Sequence, residues 1–220
     1  MSTWAVLVAA GRGERLGEDR PKAFVRLGEL PLLAEPLRRL DESEWIDAVV
    51  VVAPPGWEEP AILLAEEIGT SKVSACVTGG ETRSDSVRAG VAEVPGDAAA
   101  ILVHDAARPL LPEDVIGRLL EALGEGYDGA VPGLALADTV KRVDGDLVVE
   151  TLDRAGLVAV QTPQAFVAPV LRACVESTQS ATDCASLVEK AGGRVRIVQG
   201  DERLLKVTTR ADLERVASWL

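Results

Sequence analysis

Asparagine is absent from the chain, methionine and histidine occur once each, and only three cysteines are present. Cys76, Cys174 and Cys184 show no Cys-x-x-Cys or other metal-ligand spacing, so they read as reduced thiols of a cytoplasmic protein. The missing asparagine carries no functional information. No apolar run is long enough to span a bilayer; a typical one, Ala48 to Pro55, has the length of a strand. The N-terminus lacks a basic segment followed by a signal-like core, and Trp4 to Ala10 reads as a first strand. These absences place the protein in the cytoplasm. Positive charge is also scarce: 23 basic residues face 35 acidic ones, for a net charge of −12. Such a surface repels nucleic acid and anionic membrane, which excludes both as partners. Of the few lysines, Lys22, Lys141 and Lys206 fall in the segments singled out below, which points to a local anion site within an acidic protein.

What is present is α/β rhythm. The 220 residues suffice for one substantial domain, taken as 1–220, with a β-arm over about 136–158. Strands are expected near 3–10, 47–53, 72–77, 99–103 and 127–132, and helices near 31–41, 57–69, 82–93 and 112–124. The runs 48–53 and 99–103 are continuously apolar, as strands covered on both faces should be. This predicts a Rossmann-like, mostly parallel sheet with helices on both faces. After Pro132 the rhythm breaks. Segments 138–143 and 147–152 flank Asp144-Gly145-Asp146, a hairpin signal, and the hairpin is expected to protrude and pack on a second subunit. Helices near 166–176 and 183–192, a strand at 194–198, a short strand at 204–207 and a closing helix from Arg210 complete the reading, with no second catalytic domain after them.

Five segments carry candidate chemistry. The first strand runs into Ala9-Ala10-Gly11-Arg12-Gly13-Glu14-Arg15-Leu16-Gly17, followed by Pro21-Lys22. Glycines let backbone N–H groups approach an oxyanion, and the cations neutralise it. A dinucleotide fingerprint needs a small residue where Leu16 stands and an acid where 53–55 reads Ala-Pro-Pro, and no Gly-Lys-Ser/Thr follows. A dinucleotide oxidoreductase is therefore disfavoured. The second segment, Thr78 to Val87 (with Gly79-Gly80-Glu81 and Ser86), can cap a helix or recognise a nucleobase. The third, Val103-His104-Asp105-Ala106-Ala107-Arg108-Pro109, places a carboxylate at a strand's C-terminal end, where ligands of parallel sheets bind and Mg²⁺ can be held. His104 is read as packing or local hydrogen bonding, without a catalytic role. The fourth comprises Asp138 to Lys141 and Thr151 to Arg154 on the arm, with Thr162-Pro163-Gln164 turning the chain back toward the site. The fifth is Leu205-Lys206-Val207-Thr208.

Taken in order, these motifs resemble the 2-C-methyl-D-erythritol 4-phosphate cytidylyltransferase family of the nucleotidyltransferase superfamily, nearly end to end. The resemblance implies a site for Mg²⁺ and CTP that includes Gly13, with cytosine near Ala9, Ala10 and Gly11 and near Gly80, Glu81 and Ser86. It implies that Arg15, Lys22 and Lys206 stabilise the transition state and that Asp105 holds the metal. Arg108 and Thr162 would lie near the polyol phosphate acceptor, with Thr139 and Arg154 reaching it from the arm of a neighbour in a homodimer. Three positions depart from the family pattern: Ala23 stands where glutamine is usual, Asp201 to Leu205 precedes Lys206 where an Asn-Ile pair is common, and Cys184 replaces a usual glutamate. None removes a cation. The competing readings are a ribitol 5-phosphate cytidylyltransferase and a non-catalytic nucleotide-binding regulatory subunit. The latter has no need of the transition-state cations.

Overall fold

The computed structural model describes residues 2–11, 13, 16–17, 19–176 and 183–220. Along the chain, β1 (Thr3–Val8) precedes a small hairpin of β2 (Arg26–Leu27) and β3 (Leu30–Pro31), then α1 (Ala34–Glu42), β4 (Ala48–Ala53) and α2 (Glu58–Glu67). Next come β5 (Val73–Thr78), α3 (Arg83–Ala92), β6 (Ala100–Asp105), α4 (Glu113–Gly124) and β7 (Gly129–Ala135). The arm is β8 (Val140–Asp144) and β9 (Leu147–Leu152); β10 (Val158–Val160) and β11 (Gln164–Val167) return from it. The last elements are α5 (Ala168–Glu176), α6 (Cys184–Lys190), β12 (Val195–Gln199) and α7 (Arg210–Ala217).

The main sheet runs β5-β4-β1-β6-β11-β7, and β12 lies on the other edge of β7. Strands β10 and β11 are antiparallel insertions; the rest run parallel. The all-apolar β4 is buried at every position, because helices cover both faces. Alternation assigns its side chains: Val49, Val51 and Ala53 join Leu7, Leu37 and Leu119 in one core, while Val50 and Val52 join Val6, Val87 and Leu171 in the other. Each valine buried this way contributes about 1.5–3 kcal/mol relative to exposure. The two cores clamp the strands, so the C-terminal ends of β1, β5 and β6 are rigid platforms for the loops that follow them.

Two expectations need correction. No strand forms at 204–207. Asp201 caps a single 3₁₀ turn, Glu202–Leu204, and the following residues run extended without a ladder. They are held by isolated bonds, such as Val207 N–H to the Ala107 carbonyl at 2.8 Å. The short run Leu205-Lys206-Val207-Thr208 reads as a strand in sequence, but Leu204 and Val207 are buried three residues apart rather than in alternation, and among the described residues no strand pairs with it. The helix expected from 166 begins at Ala168, because Gln164–Val167 is a strand wedged between β6 and β7. Continuous apolar sequence across that boundary conceals it.

Candidate active site

A cavity of about 750 Å³ opens over the ends of β1, β5 and β6. It brings together Ala9, Ala10, Gly11, Lys22, Gly80, Glu81, Ser86, Asp105 and Lys206, residues drawn from four of the five sequence segments. Arg12 and Arg15 lie outside the described residues. Gly13 has φ +72°, and a Cβ there would stand 2.6 Å from Cβ of Lys22. Glycine is thus required for the loop to pack against the lysine-bearing segment.

Lys22 opens a 3₁₀ turn, Lys22–Phe24, whose Ala23 and Phe24 are buried in the core, with Phe24 against the Trp57 ring. That anchorage directs the lysine inward, where Nζ donates to the Val207 carbonyl at 2.9 Å. The two lysine segments are therefore fastened to each other, and Val207 in turn to Ala107.

The second loop is built by capping. Thr82 and Asp85 form a reciprocal capping box at the start of α3. Ser86 Oγ accepts from Gly80 N–H at 3.2 Å and donates to the Thr82 carbonyl at 3.0 Å. A Cβ on Gly79 would collide with Ala10 Cβ, so the two glycine loops touch only because that side chain is missing. They form one continuous backbone wall. Such a wall suits a flat base, whose edge is read by N–H and C=O groups.

Asp105 closes the opposite side. It is 7% exposed, and its Oδ1 lies 3.0 Å from both Nε and Nη2 of Arg83, while Oδ2 accepts from Lys206 Nζ at 2.7 Å. Burial alone would raise its pKa, but the Arg83 and Lys206 cations outweigh burial and hold the carboxyl far below the usual carboxylate range. It is an anion at any physiological pH. Arg83, a cavity residue the sequence reading left unassigned, also reaches Cys184 Sγ at 3.8 Å. Burial pushes that thiol up to about 11, so it stays protonated. Arg20 also lines the cavity and was likewise unassigned.

The remaining expected residues lie elsewhere. Arg108 is partly buried, and its Nη1 donates to the Leu204 carbonyl at 2.6 Å. Thr162 is 4% exposed, behind Asp105 rather than on the cavity wall. Thr139 and Arg154 are exposed at the base of the arm, away from the cavity in their own chain. Gln164, from the same segment as Thr162, accepts from Cys184 and Ala185 N–H and so fixes the start of α6.

Asp105 fits a magnesium ion held chiefly by triphosphate oxygens and water, which needs one protein carboxylate rather than a cage.

A mostly parallel α/β sheet thus gathers cations around one buried carboxylate at its strand ends, where ligands of such sheets bind and where negative charge can be stabilised. The model of the 2-C-methyl-D-erythritol 4-phosphate cytidylyltransferase family (IspD) matches residues 3–220, and the chain belongs to that family. A relative of that name from Nocardia farcinica is 46% identical over 213 residues, covering 96% of this chain and 91% of its own length. A crystal structure of a 4-diphosphocytidyl-2C-methyl-D-erythritol synthase superposes with a TM-score of 0.83 at 33% identity, over 99% of this chain and 97% of its own. The cytidylyltransferase of Thermus thermophilus gives 0.80 at 30% identity, over 97% and 96%.

Proposed function

We propose that the protein transfers CMP from CTP to 2-C-methyl-D-erythritol 4-phosphate, releasing pyrophosphate. The observation that supports this most is the grouping of Lys22, Arg83, Lys206 and Asp105 at one side of a cavity whose other side is glycine-loop backbone. The acceptor phosphate oxygen attacks the α-phosphorus of CTP. A new P–O bond forms as the α–β bridging bond breaks, and the pyrophosphate leaves in line. The nucleophile is already ionised, so no general base is needed. Catalysis reduces to positioning and charge stabilisation.

In this reading Lys22 and Lys206, joined by Arg15, bind the triphosphate and meet the charge that builds at the α-phosphorus. Backbone at Ala9 to Gly11 and at Gly80, with Glu81 and Ser86, receives the cytosine. Asp105 would hold Mg²⁺, which would supply further neutralisation of the phosphates. Lys206, now on Asp105, would then turn to the nucleotide, because a metal and the ammonium would compete for the same carboxylate. Arg108 and Thr162 serve the acceptor side. Thr139 and Arg154 serve it from a partner subunit's arm, which makes the working form a homodimer. The site of action is taken as the cytoplasm, as the reduced cysteines of the sequence suggest; among the described residues no helix is long and apolar enough to cross a membrane.

The test is pyrophosphate release by purified protein with Mg²⁺ and CTP, offered 2-C-methyl-D-erythritol 4-phosphate or ribitol 5-phosphate. Turnover with the first and little with the second is the expected result. Preference for ribitol 5-phosphate, or no turnover with either, overturns the assignment.

A further inference from the structure

His104 takes no part in the transfer as described, yet it is wholly buried, one residue before the metal-binding carboxylate. Its Nε2 lies 2.9 Å from the Arg108 carbonyl oxygen and its Nδ1 lies 3.2 Å from Thr162 Oγ1. A carbonyl oxygen can only accept, so Nε2 carries the ring hydrogen. Nδ1 of the neutral ring is then an acceptor, and the Thr162 hydroxyl must donate to it. The same hydroxyl oxygen accepts the Asp105 N–H at 3.1 Å. Every direction in this chain is therefore forced, from the Asp105 amide through Thr162 and the imidazole to the Arg108 carbonyl. The preceding residue extends it. Gln161 Nε2 donates to the Asp201 carbonyl at 2.9 Å, and its Oε1 accepts the Asp201 N–H at 3.1 Å, on the segment that leads to Lys206.

We infer that His104 is a positioning residue, which acts through Thr162 and the Arg108 carbonyl to hold Asp105 and Arg108 in register with the Lys206 segment. The inference rests on the proposed transfer for its consequence, though not for its geometry. Two residues of the acceptor side, Thr162 and Arg108, and the metal-holding Asp105 belong to one buried, one-directional hydrogen-bond chain, and reversing any link breaks the next. A second consequence concerns Thr162. Its only hydrogen is spent on His104, so it can only accept from a ligand. That suits a polyol hydroxyl and excludes a contact with an ionised phosphate oxygen, which has no hydrogen to give.

Because the chain contains a single histidine, tag-free protein labelled with ¹⁵N has one imidazole to observe. The expected spectrum shows the Nε2–H tautomer alone, with the Nδ1 resonance moving in Thr162→Val. An Nδ1–H tautomer, or averaging over both, overturns the relay whatever the enzyme's acceptor proves to be. Kinetics test the role itself. His104→Leu is expected to lower kcat per folded molecule about tenfold or more, with KM for CTP changed by less than about twofold, because the base wall does not touch the relay. His104→Gln, which keeps a side-chain N–H for the Arg108 carbonyl, is expected to recover part of kcat. Unchanged kcat in His104→Leu, or equal kcat losses in both variants, overturns positioning. The spectrum of the wild-type protein decides the geometry even if the leucine variant does not fold.

Discussion

Lys22 and Lys206 come from opposite ends of the chain and their segments are tied together through the Val207 carbonyl, so the Lys22 charge is placed before any nucleotide arrives. A cation placed in advance acts on the transition state without reorganisation. Lys22→Met is expected to raise the barrier by about 2–4 kcal/mol, a loss comparable to removing an oxyanion donor. Steady-state kcat under saturating CTP measures it, and a rate close to wild type refutes the role. Arg83 makes a different prediction, because it bonds to the Asp105 carboxylate. In Arg83→Met the Asp105 carboxyl loses a neighbouring cation, its pKa rises toward the ordinary range, and its orientation is no longer set from the α3 side. Magnesium titration of activity is expected to shift to higher concentration by about ten- to a hundredfold, the usual cost of losing a group that orients a metal ligand. An unshifted titration rejects that role. Lys22 and Asp105 could be picked out in sequence because glycine turns and strand ends announce themselves locally, whereas Lys206, on a segment with no such mark, was singled out only through the family resemblance. Arg83 could not, since its motif is equally a helix cap and its partner is set by the β5–α3–β6 crossover. The His104–Thr162 bond is hidden for the same reason: β11 enters antiparallel beside β6, and no local signal encodes that.

Helix α7 shows how an element far from the cavity bears on it. Thr209 and Asp212 form its capping box, and Asp212 Oδ2 also accepts from Thr208 N–H and Oγ1, at 2.9 and 2.7 Å. Leu213 and Val216 pack with Val207 and Leu110, so the cap and the buried face together fix the segment that carries Lys206. Hydrogen bonds from Thr208, with further ones from Thr209, lower the Asp212 pKa from 3.8 to about 2. A depressed folded-state value gives stability that is complete above about pH 4 and is lost as the pH falls through 2. Asp212→Ala is therefore expected to lower stability at pH 7 by about 1 kcal/mol, as for other helix caps. Thermal unfolding should show the gap to wild type closing between pH 4 and pH 2. A gap that stays constant over that interval would show that the carboxylate is not the source. Elements of this kind, with a cap and a periodic apolar face, were readable in advance, as were the fully apolar β4 and the apolar run 100–103 of β6. The short returns β10 and β11 were not, because three or four residues between longer runs leave no period to detect, and 204–207 misled because a short β-prone run without a pairing neighbour makes no strand.

At the scale of the whole molecule, the arm is the part that the fold does not account for. Strands β8 and β9 pair only with each other, and Val143, Leu147, Val148 and Val149 are 58–75% exposed. Asp144-Gly145-Asp146 makes the turn, with Gly145 at φ +55°, so the hairpin is well formed but has no core to cover it. Leu157, Val158 and Val160 continue the apolar strip from the arm toward the sheet. An isolated two-stranded ribbon is marginally stable in water, and so much exposed aliphatic surface in an otherwise acidic protein calls for a partner. If that partner is a second copy, two arms exchanged about a twofold axis would bury these strips and bring Thr139 and Arg154 to the neighbouring cavity, where a substrate phosphate requires positive charge. The paired substitution Leu147→Asp and Val149→Asp places charges on the strip and leaves each chain's own cavity intact. Sedimentation is expected to show a dimer for the wild-type protein and a monomer for the variant, and the monomer is expected to bind CTP while losing most of its turnover. Arg154→Ala at full dimerisation should raise KM for the acceptor while leaving that for CTP nearly unchanged. A monomeric variant with wild-type turnover would show that each cavity is complete on its own, and would leave the arm's exposed strip without a catalytic purpose.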